Sequence, residues 1–217
     1  MRRFKSRYLF IIFALLLTGC VNVEKEKSLE KEKSPLTTQI TIEPYNMSEK
    51  ENLLISKTGV GQIEFFKLNG TPKDEDQLYF SVEVFKNGKF KEELLKTWDG
   101  PETKYQDSFI SFGISDIENE GHSLKLITGT PTGIATTVYS NNMTSSSFGK
   151  LVDGKVTLEK NKPVYLAAWL GTTKNELSFG GGNNGEIPRV LMKLNSHFYT
   201  KLYGPIKKSN NFDLFSI

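Results

Sequence analysis

Apolar and polar residues alternate along most of the chain after residue 38, which predicts a protein built from β-strands. In the stretch 78–84 every second residue is apolar, and Ser81 and Glu83 lie between them. Comparable runs, separated by Gly, Asn and Asp, occur at 40–42, 63–68, 110–114, 124–126, 138–139, 156–158 and 164–170. Short strands with this spacing are typical of an all-β fold. We therefore expect one antiparallel domain over residues 39–217, either a sandwich or barrel-like.

Two stretches predict strand details. Asn87 and Gly88 separate two alternating runs, and Asn-Gly favours a type I′ turn because both turn residues need positive φ. This dipeptide predicts a tight hairpin. The run from Val164 to Leu170 is apolar at both alternating sets of positions, which favours a strand covered on both faces.

Two other segments are compatible with helix. Ser48 and Glu51 have the spacing of a capping box, and the glycines that follow leave room for at most two turns. Residues 187–203 fit a helix opened by Pro188, but they alternate equally well as strands. We favour strand–loop–strand here and keep a possible short C-terminal helix as the alternative.

The N-terminus has the layout of a secretory signal. Four basic residues and no acidic ones precede an uncharged run of ten residues from Tyr8 to Leu17. A membrane-spanning helix needs about 20 apolar residues, roughly twice this length. A cleaved signal is therefore favoured over an uncleaved signal anchor, which remains the alternative.

The single cysteine of the chain, Cys20, follows this run directly. The string Leu17-Thr18-Gly19-Cys20 resembles the lipobox of bacterial lipoproteins. The resemblance implies a signal peptide over residues 1–19, a diacylglyceryl thioether on Cys20, further acylation such as palmitate, and a protein held at the extracytoplasmic face of the cell membrane. Two or more acyl chains suffice for stable anchoring. A buried structural cysteine is the alternative, but a thiol at a mature N-terminus has no core to enter.

Residues 20–38 are predicted to form a flexible charged tether. Four Glu and four Lys alternate between residues 24 and 33, and apolar residues are too sparse to form a buried helix face. Like charges at helical spacing, such as Glu26 and Glu30, weaken a helix further. Fully extended, the tether would reach about 60 Å at roughly 3.3 Å per residue.

Composition narrows the range of partners. The formal charge of +3 falls to −1 once residues 1–19 are removed, because four of the 28 basic residues go with them and 24 remain against 25 acidic ones. A polybasic surface for nucleic acid is therefore not expected. The abundance of Lys, Asn and Ile suggests an AT-rich genome, which points to a Gram-positive bacterium.

The sequence contains no complete catalytic, metal or cofactor motif. Its two histidines are His122 and His197, and it has no H-x-x-x-H, C-x-x-C or G-x-S-x-G string. The glycine-rich stretch 179–185 lacks the Gly-Lys-Ser/Thr of a phosphate-binding loop. We therefore predict no cofactor and no metal, and favour a non-enzymatic role without excluding an enzyme.

Four residues are candidates for contact with a ligand. Trp98 next to Asp99 has the character of a sugar-stacking pair, although a Trp at a strand end more often packs on its own core. Asn183 and Asn184 lie in the glycine-rich stretch, and loops of this kind often carry binding function.

The expected function is non-catalytic binding or envelope assembly. The expected partners are the membrane, through the lipid, and an envelope protein or cell-wall glycan, but not nucleic acid. The alternative is a lipid-anchored hydrolase that uses acidic residues such as Asp99, Glu102 or Asp107.

Overall fold

The computed structural model describes residues 39–73, 76–99, 104–117, 123–174, 177, 184–187 and 196–207. The predicted signal peptide, Cys20 and the tether lie outside these residues, as do Glu102, His122 and Asn183. In the described part of the chain, no helix combines the length and apolar character needed to cross a bilayer.

The described residues form eleven strands and one short helix, so the all-β prediction is confirmed. The strands are β1 (Thr41–Tyr45), β2 (Gln62–Gly70), β3 (Asp76–Lys86), β4 (Lys89–Trp98), β5 (Tyr105–Asp116), β6 (Ser123–Thr130), β7 (Gly133–Ser140), β8 (Ser145–Lys150), β9 (Val156–Thr157), β10 (Pro163–Thr172) and β11 (Ser196–Lys207). The helix, α1, spans Glu49–Ile55.

The strands form two antiparallel sheets that pack face to face, which makes the domain a sandwich. The first sheet has six strands in the order β7-β6-β5-β2-β1-β9, and the second has five in the order β4-β3-β11-β10-β8. Alternate residues of both sheets point into one shared core. Within this core Trp169 of β10 packs on Phe198 of β11, with ring centroids 4.8 Å apart.

A second apolar layer covers the outer face of the second sheet. Leu170 of β10 and Tyr199 of β11 are fully buried there, and Leu177 and Ile187 pack against them. The prediction that the strand 164–170 is covered on both faces is confirmed: the main core takes Val164, Leu166, Ala167 and Trp169, and the outer layer takes Tyr165, Ala168 and Leu170. The side chains do not alternate strictly, because the pairing with β11 is irregular between Tyr165 and Ala167.

Both local predictions from short motifs are confirmed. Asn87 and Gly88 form the two-residue link between β3 and β4, with φ angles of 51° and 74°. Ser48 caps α1, since its hydroxyl accepts the Glu51 N–H at 3.4 Å and its own N–H donates to Glu51 Oε2 at 2.7 Å. The hydrogen bonds from Ser48, followed by one from Tyr45, lower the pKa of Glu51 to about 2.

The possible short C-terminal helix is wrong for residues 196–203. These residues belong to β11, which lies between β3 and β10 in the second sheet. Phe198 and Leu202 enter the main core, while Tyr199 and Lys201 enter the outer face of the sheet. Burial on two sides matches the two-residue period and overrides the helical spacing.

Candidate functional site

The candidate ligand residue Asp99 is a structural hydrogen-bond acceptor. It is only 1% exposed. The Tyr105 hydroxyl donates to its Oδ2 at 2.8 Å, and the Thr132 hydroxyl donates to its Oδ1 at 2.9 Å. The carboxylate thus ties the end of β4 to β5 and to the β6–β7 turn, and both of its oxygens are engaged within the protein.

Trp98 packs on its own domain, as the alternative interpretation expects. Its ring lies 4.7 Å from that of Tyr79 on the neighbouring strand, and the residue is 37% exposed. Asn184 is also exposed, but it lies in a turn held to β10, where the Tyr165 N–H donates to Gly185 O at 2.9 Å. Since β3 and β11 separate β4 from β10, Trp98 and Asn184 do not form one site.

Asp107, another acid named for a hydrolase, also makes structural contacts. Its N–H donates to the Asn69 side-chain oxygen at 2.9 Å, and the Asn69 amide donates back to Asp107 Oδ1 at 3.3 Å. Lys67 Nζ lies 3.9 Å from the same carboxylate. These contacts hold the start of β5 to the end of β2.

A buried ionic cluster that no sequence motif indicates lies on the outer face of the second sheet. Lys201 of β11 forms ion pairs with Glu83 of β3 and, at 3.0 Å, with Glu93 of β4. The side chains of these three residues are no more than 12% exposed. Only Glu83 stood out in the sequence, as the polar member of an alternating run, and no local pattern links it to a lysine 118 residues away.

Hydrogen bonds satisfy both carboxylates of this cluster. The Tyr165 hydroxyl donates to Glu83 Oε2 at 3.0 Å, and the Ser81 hydroxyl donates to Glu93 Oε1 at 2.6 Å. Burial raises the pKa of Glu93, but hydrogen bonds from Ser81 and Lys201 and the charge of Lys201 outweigh it and leave that pKa below its usual value. We interpret the cluster as structural, because buried charges are tolerated when paired and hydrogen-bonded.

A partly open cleft at one end of the sandwich is a candidate for ligand binding. It has a volume of about 300 Å³ and lies where the first residues of β2 and the last of β5 meet the start of β8 and the end of β10. Trp169 is its aromatic lining residue. Its polar lining residues are Gln62, Asp116, Asn141, Thr144, Ser145 and Ser146.

Close packing and backbone hydrogen bonds fix the walls of the cleft. A Cβ atom at Gly171 would lie 2.3 Å from the Trp169 ring, so glycine at this position leaves space for the indole. In the β7–β8 link, the Met143 N–H donates to the Asn141 side-chain oxygen at 3.0 Å. The Thr144 N–H donates to Thr172 O of β10, also at 3.0 Å. These contacts hold the β7–β8 link against the end of β10 at the wall of the cleft.

The lining of the cleft suits a polar ligand that is not anionic. Within the described residues it combines amide and hydroxyl groups with one carboxylate, Asp116, and with no lysine or arginine. Such groups both donate and accept hydrogen bonds, as sugar hydroxyls require. The volume lies at the lower end of the range for small-molecule pockets, about 300–1,000 Å³. The cleft can hold a small polar group rather than a large apolar one.

Comparison with known proteins identifies a domain family. The YgaN domain family matches residues 41–200, which begin at β1 and end within β11. Neither a curated protein nor a solved structure gave a significant match to the chain.

Proposed function

The chain belongs to the YgaN domain family, and from that premise we propose that it is a non-catalytic binding protein of the bacterial cell surface. In this proposal a lipid on Cys20 holds the protein at the extracytoplasmic face of the cell membrane. The cleft beside Trp169 binds an uncharged polar ligand, and cell-wall glycan is the ligand class that fits it best.

The observation that carries this proposal is the position of the cleft relative to the point where the chain enters the sandwich. Thr41, at the start of β1, pairs with Asn69, whereas Gln62 at the other end of β2 lines the cleft. Seven residues of strand separate the two points by about 20 Å at roughly 3.3 Å per residue. The cleft therefore lies at the opposite end of β2 from the point where β1 begins.

The size and chemistry of the cleft favour a glycan over an envelope protein. A stable protein partner buries about 800 Å² on each side, whereas this cleft accommodates a single small group. Asp99 and Asp107 make structural hydrogen bonds, which supports a binding role over acid-catalysed hydrolysis.

The test is binding of soluble cell-wall glycan fragments to the full-length protein in detergent, measured by calorimetry. Gln62→Ala should weaken binding about 2- to 13-fold, the effect of losing one hydrogen bond of about 0.5–1.5 kcal/mol. Ser146→Tyr should abolish binding, because a phenol ring would occupy the cleft.

Gln106→Ala is the matched control. Gln106 is an exposed glutamine near the start of β5, at the end of the sheet remote from the cleft. Its replacement should leave the affinity unchanged. Fragments that do not bind, or that bind equally to the parent and to Ser146→Tyr, would reject the proposed site.

A further inference from the structure

Strand β7 forms an edge of the first sheet, next to β4 of the second sheet, and its sequence lacks the usual protection against strand pairing. Residues 133–140 contain no charged residue and no proline. Ile134 is 77% exposed and Val138 is 55% exposed. Exposed edges in natural proteins are commonly short, charged or bulged, because an open edge is a template for another strand.

Two other edges of the sandwich do carry such protection. Strand β9, at the opposite edge of the first sheet, has only two residues. Strand β4, at the edge of the second sheet, carries charges such as Lys91 and Glu92 and has a positive φ angle of 48° at Leu95, where its pairing with β3 is irregular. These two edges are therefore less available for pairing with another strand than β7 is.

The hairpin geometry shows which backbone groups of β7 point away from its neighbour. Thr130 and Gly133 form the last pair before the two-residue turn of the β6–β7 hairpin. Because hydrogen-bonded and non-hydrogen-bonded pairs alternate in antiparallel sheets, Ile134, Thr136 and Val138 turn their N–H and C=O groups away from β6. In the described part of the chain, these groups make no backbone hydrogen bond outside the sheet.

We propose that β7 pairs antiparallel with β7 of a second copy of the chain, about a two-fold axis at Thr136. In this register Thr136 faces its own copy, and Ile134 faces Val138 of the second copy. The two first sheets become one continuous sheet. This proposal does not depend on the anchor or on the cleft.

Strand β7 carries no charge, and this favours pairing with a second copy of the chain over pairing with a different protein. Around a two-fold axis each residue near the centre meets itself or a close neighbour, so a charged residue there would repel its own image. Residues 133–140 contain none, and the exposed apolar side chains cover each other in the proposed register. One strand edge is a small interface, so pairing should depend on concentration and is best trapped covalently.

The test is thiol cross-linking of the full-length protein with Thr136→Cys. Residues in a hydrogen-bonded antiparallel pair have Cα atoms about 5.5 Å apart, within reach of a short bis-maleimide. We expect a cross-linked dimer, and mass spectrometry should find the introduced thiol of one copy joined to the same thiol of the other. The parent chain, which has only Cys20, gives the background.

Thr157→Cys is the matched control, since Thr157 is an exposed threonine on β9 at the opposite edge of the same sheet. It should cross-link at the background level. Adding Ile134→Lys to Thr136→Cys should lower the cross-linked fraction at least about fivefold without changing the urea midpoint, because the Ile134 side chain is mostly in solvent. Equal cross-linking of the Thr136→Cys and Thr157→Cys variants, no effect of Ile134→Lys, or capture of a different protein in place of the second copy would overturn the proposal.

Discussion

Single residues in this domain show how buried charge is accommodated. Asp99 accepts hydrogen bonds from Tyr105 and Thr132, and Glu93 accepts them from Ser81 and Lys201. In both places a carboxylate is surrounded by donors from other elements of the fold. A buried charged group is tolerated only when such partners replace the water it loses. These acids are therefore expected to govern stability rather than ligand binding.

Asp99→Ala should lower the free energy of unfolding by about 3 kcal/mol, because the buried hydroxyls of Tyr105 and Thr132 lose a charged acceptor. Urea denaturation of the full-length protein measures this. The control is Asp153→Ala, at an exposed acid, which should change stability by less than about 0.5 kcal/mol. Equal stability of the two variants would contradict the structural role of Asp99.

The ionic cluster predicts how stability depends on pH. The pKa of Glu93 in the folded protein lies below its ordinary value of 4.5. A group with a lowered folded-state pKa stabilises the protein fully above its unfolded-state pKa and loses that contribution as the pH falls through the folded-state pKa. The free energy of unfolding should therefore decrease on acidification below about pH 4.5. Glu93→Gln should make this decrease shallower, and an unchanged slope would show that Glu93 does not contribute.

In a Lys201→Met variant, acidification should raise the free energy of unfolding instead of lowering it. Without the lysine, Glu83 and Glu93 face each other with too little positive charge, and breaking a buried pair typically costs about 3–5 kcal/mol. Stability should then recover on acidification, because protonation of Glu93 relieves the repulsion within the pair. Lys96→Met is the control, since the Lys96 side chain is 49% exposed. This substitution should lower the free energy of unfolding by less than about 1 kcal/mol. A Lys201→Met variant with a parent-like pH profile would contradict this interpretation.

The sequence predicted those secondary-structure elements that depend on residues close together in the chain. The capping box of α1 and the turn at Asn87-Gly88 each depend on residues within three positions of one another. Strand β8 was not predicted, because its sequence, SSSFGK, has no alternating apolar pattern. It forms through pairing with β10, where Ser147 lies opposite Leu170.

Asn87→Pro should destabilise the protein by more than about 1 kcal/mol, because proline cannot adopt the positive φ of this turn. Asn87→Gly is the matched control and should remain near the parent stability, since glycine accepts φ = 51°. Urea denaturation compares the variants, and a nuclear Overhauser effect between Lys86 and Lys89 reports the hairpin. A stable Asn87→Pro variant that keeps this signal would show that the turn tolerates another geometry.

At the scale of the whole molecule, the proposed function requires both the β-sandwich, which binds the ligand, and the lipid anchor, which holds the protein at the membrane. The described domain has an end cleft and an open sheet edge, and the proposed anchor lies in the residues before it. Each of these three features is open to a separate test, because substitutions at Gln62, Thr136 and Cys20 affect different parts of the chain.

Cys20→Ser should release the protein from the membrane or leave its signal unprocessed, because serine provides no thiol for the lipid. Detergent partitioning and intact mass of the protein from bacterial membranes would measure this. Ser34→Ala in the tether is the control and should remain anchored. A parent protein that begins at another residue and carries no added lipid mass would reject the anchor.

The sequence by itself determined the all-β class, the positions of most strands, the Asn87-Gly88 turn and the cap of α1. Steric limits on φ, the two-residue period of strands and hydrogen bonds within a single turn act between near neighbours and can therefore be read from the chain. Tertiary structure alone decided that β11 lies between β3 and β10, that Lys201 meets Glu83, and that Gln62 and Trp169 line one cleft. These outcomes depend on which distant strands pair, and the free energy of that choice comes from burying side chains against partners that no local pattern specifies.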